Sequence, residues 1–114
     1  MKGPLSDKIR IQHILDAINE VENYIAGVTE DQFLQNSEKR FATIKQIEIV
    51  GEACNKISEE IKIAHREIPW HQVIGFRNIS IHEYHNISLH IVWEIATNDL
   101  ITLKQLFSNI LQEL

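Results

Sequence analysis

The sequence predicts an all-α protein, an antiparallel up-and-down bundle of four long helices and one short one. Three observations carry that prediction. Apolar residues, isoleucine above all, recur at three-and-four spacing along nearly the whole chain, which sets them on one face of successive helices. Glycine and proline are scarce, at four and two residues in 114, so the connections are short and neighbouring helices run antiparallel. Neither Asn-Gly nor Asp-Gly, the strongest hairpin signals, occurs anywhere.

The first helix is expected over residues 6–26, with Ile11, Ile14, Leu15, Ile18, Val21 and Ile25 on one stripe, Ser6 as N-cap and Gly27 as terminator. Thr29 and Gln32 have the form of a capping box and open a short corner helix through Phe33 and Leu34. A long helix then begins at Ser37, carries Phe41, Ile44, Ile47, Val50, Cys54, Ile57, Ile61 and Ala64 inward, and ends ahead of Ile68-Pro69. Gly51 lies inside it at a cost of about 1 kcal/mol relative to alanine, which a close helix crossing or a bound partner would explain and which a stable helix can also simply tolerate. Pro69 suits the first turn of a fourth helix that continues through Trp70, Val73, Ile74, Arg77 and Ile81. The run HEYHNIS interrupts the apolar rhythm, and Asn86 or Ser88 caps a last helix over 89–114 with Val92, Trp93, Ala96, Leu100, Leu103, Phe107, Ile110 and Leu114 inward.

Composition bounds the rest. A chain of 114 residues that is 44% apolar, 24% charged and 7% aromatic is expected to form one domain, residues 1–114, with a core that needs no disulfide. Cys54 is the single cysteine, which suits a reducing compartment; with no membrane span and no apolar signal core, a cytoplasmic location is expected. The net charge of -5 argues against broad counterion-release binding to nucleic acid, so any nucleic-acid chemistry must be local.

Five of the six histidines, His65, His71, His82, His85 and His90, fall in one stretch. Within it, residues 69–88 gather Arg77, Asn78, Ser80, His82, Glu83, Tyr84, His85 and Asn86, more polar groups than an amphipathic stripe requires. Guanidinium grips phosphate oxygens as a permanent planar fork, and imidazole moves a proton near neutral pH. That pair suits RNA, whose 2′-hydroxyl is an internal nucleophile beside the scissile phosphate. A solvated turn with a capping histidine is the bland alternative. In a straight helix Arg77 and His82 stand about 140° apart, so meeting at one phosphate requires the helix to end between them, long side chains to wrap round it, or a second subunit. Metal binding by His82, His85 and His90 lacks a cysteine cluster or a paired Glu-x-x-His set, so no metal is expected. Cys54 sits on a core stripe and no Gly-x-Ser-x-Gly elbow exists, which disfavours a hydrolase nucleophile. Trp70 and Trp93 continue apolar stripes and read as core, Glu52 either lines a cleft or faces solvent, and His85 and His90 read as surface or capping residues.

The run Arg77-Asn78-x-x-x-His82-x-Tyr84 resembles the Arg-x4-His-x-Tyr signature of HepT toxins, members of the HEPN superfamily (higher eukaryotes and prokaryotes nucleotide-binding domain). IVGEACNKISEE (residues 49–60), IPWHQVIGFRN (68–78) and VWEIATNDL (92–100) resemble family segments in order and spacing, so the similarity covers nearly the whole chain. The resemblance implies an all-helical homodimer whose two motifs converge on an interface cleft. Its activity would be that of a metal-independent endoribonuclease, with RNA as substrate, no cofactor, and a type VII-like toxin–antitoxin role. His82 would be the general acid/base, Arg77 the phosphate clamp, Asn78 a polar helper, and Tyr84 the acceptor of AMP from a cognate MntA-type nucleotidyltransferase antitoxin. The chain departs from the pattern at Glu83, where relatives often carry a small residue. HEPN domains also serve as non-catalytic helical partners of nucleotidyltransferases, and the acidic charge fits that alternative.

Overall fold

The computed structural model describes residues 4–79 and 88–114, with side chains from Ser6 onward in the first stretch. It is all-α, as the periodicity predicts. Helix α1 spans Pro4–Ile25, the short α2 Glu30–Leu34, α3 Ser37–Asn55, α4 Glu59–Ala64, α5 Trp70–Ile74, α6 Leu89–Glu94 and α7 Leu100–Glu113. A 3-10 turn, Gly75–Asn78, continues α5, and a π-helical turn, Ile95–Asp99, joins α6 to α7.

Contacts at the helix ends give the directions. Asp7, near the start of α1, reaches Ser58 beyond the end of α3, whereas the carbonyl of Tyr24, near the end of α1, accepts from Lys39 Nζ at 2.8 Å. The two helices are therefore antiparallel. Lys104 of α7 reaches back to Glu22 at 2.8 Å, and Glu113 at the far end meets His65, so the last helix also runs opposite to α1. Ile11, Ile14, Ile18 and Val21 of α1 pack with Ile44, Ile47 and Val50 of α3 and with Leu100, Leu103, Phe107 and Ile110 of α7, all buried. Trp70 and Trp93 are half-buried against this core: Trp93 lies 5.2 Å from the Phe33 ring, and Trp70 meets Phe107 edge-on at 5.7 Å.

Several local signals hold. Gly27 ends the first helix with φ +71°, a left-handed conformation that favours glycine. Thr29 and Gln32 form the reciprocal capping box, and the Ser88 hydroxyl accepts from the amide of Ile91. Others are corrected. The first helix begins at Pro4, so Ser6 lies inside it and caps nothing. The long helix expected to run up to Pro69 breaks after Asn55, because Ser58 is drawn out as the N-cap of α4 and held by a buried carboxylate: Asp7 accepts from the Ser58 amide at 2.9 Å and from its hydroxyl at 2.7 Å. The fourth helix expected to continue through Ile81 narrows to the 3-10 turn and ends at Asn78; Pro69 stands at its N-cap, one residue ahead of the helix. The last helix carries the π turn, within which the Thr97 hydroxyl donates to the carbonyl of Trp93 at 2.8 Å.

Candidate functional site

Arg77 and Asn78 owe their position to a glycine on the facing helix. A Cβ added to Gly51 would stand 2.4 Å from the Arg77 amide nitrogen, 2.9 Å from the Phe76 carbonyl carbon and 3.1 Å from Arg77 Cα. The 3-10 turn therefore lies backbone on backbone against α3, and this is the close crossing that Gly51 predicts. Phe76 is buried and anchors the turn from within, while the side chains of Arg77 and Asn78 are exposed. Among the described residues neither has a hydrogen-bond or ion-pair partner. An exposed guanidinium, uncommitted to any described residue and carried on a closely seated backbone, suits an anion-binding role.

The turn closes with the Ile79 amide donating to the Phe76 carbonyl at 2.9 Å, and Ile79 itself is extended, with φ -88° and ψ 99°. The helix thus ends between Arg77 and His82. The angular separation that would have kept the two apart on a straight helix no longer applies, and the case for a second subunit rests on the family resemblance alone. His82 and Tyr84 lie outside the described residues, as do Ser80, Ile81, Glu83, His85 and Asn86.

A polar groove lies between α1 and α3, lined by Arg10, His13, Lys45, Glu48, Glu52 and Lys56. Glu52, which the sequence left open, is exposed and belongs to this groove. Lys45 and Glu48 pair at 3.3 Å. The other basic residues were not singled out in the sequence, although a helical projection aligns Lys45, Glu48, Glu52 and Lys56 on one face. A second cleft separates α5 and its 3-10 turn from α7, with Val73, Phe76, Leu103 and Leu106 in its walls and Glu67 and Asp99 among its polar lining. Burial and the neighbouring Glu94 push the Asp99 carboxyl above its ordinary value. A backbone hydrogen bond, helped by His65, holds Glu67 below its own.

His90 is an exposed ion-pairing residue: Nδ1 lies 2.7 Å from Glu30 Oε2, and this contact raises its pKa above the ordinary histidine value, with Glu94 adding to the effect. His65 is bracketed by Glu67 at 3.2 Å and Glu113 at 2.9 Å, tying the α4–α5 corner to the end of α7. Cys54 is buried, and burial pushes its thiol up to about 12, which leaves no thiolate for nucleophilic work. Among the described residues no group of three His, Cys, Asp or Glu side chains is placed to hold a metal ion, and no helix is long and apolar enough to cross a membrane.

The model of the family described as ribonuclease HepT-like matches residues 14–110. Among curated relatives, a Methanocaldococcus jannaschii protein named "Gamma-glutamylcyclotransferase and putative RNase" is 35% identical over 107 residues, covering 94% of this chain and 48% of the relative. The chain thus spans about half the length of that protein. A Thermococcus cleftensis protein named "Probable ribonuclease HepT" is 30% identical over 105 residues, covering 92% of this chain and 96% of the relative. No solved structure gives a significant match.

Proposed function

The chain belongs to the ribonuclease HepT-like family, and from that premise we propose that it is a metal-independent endoribonuclease, the toxin of a type VII-like toxin–antitoxin system. The observation that carries this reading is Arg77, seated on Gly51 with its guanidinium exposed and unengaged by any described residue. His82 takes the proton of the RNA 2′-hydroxyl, and the freed oxygen attacks the adjacent phosphorus. The bond to the 5′-oxygen breaks, and that oxygen takes up a proton. The products are a 2′,3′-cyclic phosphate and a 5′-hydroxyl. Arg77 neutralises the phosphorane as charge builds on its oxygens, and Asn78 supplies a further hydrogen bond. The working form is a cytoplasmic homodimer of single-domain protomers with the two motifs facing one cleft. Control falls to an MntA-type nucleotidyltransferase, which transfers AMP from ATP to the Tyr84 hydroxyl with release of pyrophosphate; the added charge and bulk exclude RNA phosphate.

Purified protein incubated with RNA and excess chelator is expected to generate cyclic-phosphate ends. Arg77→Ala and His82→Ala abolish cleavage with the helical circular dichroism unchanged, and light scattering reports twice 13.3 kDa. Tyr84→Phe keeps cleavage but escapes silencing by the nucleotidyltransferase and ATP, and intact mass records the loss of the adduct. Chelator-sensitive cleavage, or full activity in His82→Ala, overturns the mechanism. The net charge of -5 favours a second reading, a non-catalytic helical partner of the nucleotidyltransferase. Stable co-elution with that enzyme by a chain that leaves RNA intact would establish it.

A further inference from the structure

The groove between α1 and α3 departs from the charge of the chain as a whole. It gathers three of the eleven lysines and arginines but only two of the sixteen acidic residues, so it is locally positive on a protein of net charge -5. Its own pair, Lys45 with Glu48, cancels internally. What remains is Arg10, His13 and Lys56 facing the single carboxylate of Glu52.

Four of the ten described lysines and arginines are committed elsewhere. Lys39 donates to the Tyr24 carbonyl, Arg40 to the Leu34 carbonyl, Lys62 pairs with Glu59 and Lys104 with Glu22. Arg10, His13 and Lys56, by contrast, have no hydrogen-bond or ion-pair partner among the described residues. The carbonyl end of α3 accounts for Lys56 by itself, but not for the basic residues on the facing helix. Because Asp7 is fixed to Ser58, Arg10, one turn further along α1, faces the last turn of α3 and its C-cap residue Lys56. Unpaired like charges converging on one groove repel each other until an anion enters.

The groove and the Arg77 turn both pack on α3. The groove follows α3 from Lys45 to Lys56, the same turns that carry Gly51, so the groove and the Arg77 turn draw on one stretch of one helix. Its apolar floor is Ile49 and Ala53, and its lining contains no aromatic ring on which a base could stack. The grip it offers is therefore for a phosphate backbone and indifferent to base.

We infer that this groove is the track for the RNA strand flanking the scissile position, with Arg10 and Lys56 taking backbone phosphates, His13 donating a hydrogen bond, and Glu52 limiting how tightly the strand is held. The inference rests on the ribonuclease reading for its ligand. Its test separates the two by using a fluorescein-labelled single-stranded 2′-O-methyl RNA, which lacks the attacking hydroxyl and reports binding alone by anisotropy. Arg10→Ala and Lys56→Ala are each expected to weaken binding about two- to fivefold at low salt and to reduce the slope of log affinity against log salt by about 0.7, the increment for one phosphate contact on a single strand. Glu52→Gln tightens binding. Arg66→Ala, which removes an exposed cation outside the groove, changes neither quantity. Thermal melts of each variant guard against misfolding. A double variant Arg10→Ala/Lys56→Ala with wild-type affinity and slope overturns the inference, as does an equal loss in Arg66→Ala or a wild type that does not bind the oligonucleotide. If unmodified RNA is cut while the double variant binds normally, the groove fails and the ribonuclease reading stands. Binding through these cations with unmodified RNA left intact upholds the groove and overturns the ribonuclease reading.

Discussion

The two flanks of α3 are built in opposite ways. On one, the Arg77 turn meets Gly51 backbone to backbone, with the atoms at separations that no side chain could share. On the other, α1 stands off far enough to leave a groove, and the space is bordered by long polar side chains. The first arrangement holds backbone against backbone with no room for a side chain; the second sets a charge and leaves geometry adjustable. Placement of a reacting group demands the former and retention of a flexible polyanion is served by the latter. On the proposed reading, one helix serves placement on one flank and binding on the other.

The sharpest way to break this contrast is Gly51→Ala. On an isolated helix the change would stabilise by about 1 kcal/mol. Here the new methyl meets backbone that has no rotamer to yield, so a net loss of about 3 kcal/mol is expected in urea unfolding, at the top of the range for overpacking, together with loss of cleavage. A stabilised, active Gly51→Ala would mean that the tight flank does not exist.

Next in size is Asp7→Ala, which attacks the staple that sets the spacing of the looser flank. It strips two partners from buried Ser58 and is expected to cost about 2 kcal/mol, with Asp7→Asn recovering part of it because one oxygen acceptor remains. Unaltered stability in Asp7→Ala would place the α3–α4 break under other control. Thr43→Val touches neither flank and should act in the opposite direction. The Thr43 side chain is fully buried and its hydroxyl has no partner among the described residues, so replacing it by a methyl of similar shape should stabilise by about 1 kcal/mol while leaving RNA affinity as it was.

The smallest effect is expected at His90, remote from the Gly51 contact, where Glu30 raises the imidazole pKa in the folded state. A raised folded value means that the stabilisation is fully present below the unfolded value of about 6.5 and is lost as pH climbs through the folded one. An NMR titration should show the His90 midpoint falling toward the unfolded value in Glu30→Gln. An unmoved midpoint would assign the shift to Glu94 instead.

These features differ in how far they could be read from the sequence. Gly27, the Thr29–Gln32 box and the Ser88 cap are legible because each is decided within four residues of itself. Gly51 is legible as an anomaly, since glycine inside a helix requires a reason, although only the structure identifies the Arg77 backbone as that reason. The break at Ser58 is not legible: Asp7, which holds it, lies 51 residues away in sequence and looks like any first-turn acid. The π turn at Ile95–Asp99 leaves the apolar spacing around it undisturbed and so gives no warning. At the candidate site, the motif points to Arg77 and Asn78, and the structure adds that both are exposed on the turn packed against Gly51. Arg10 and His13 are not legible, because an arginine and a histidine on a charged helix face are ordinary until the facing helix is known.

Cys54 offers a built-in clock. With its sulfur buried and its thiol held near 12, it is closed to alkylating reagents in the folded chain and becomes reactive when the core around α3 opens. Because it is the sole cysteine, the rate at which a thiol reagent consumes the native protein times that opening directly, without an added label. A second cysteine placed on the surface would be modified far sooner, so a dye could be installed there while Cys54 continues to report the interior.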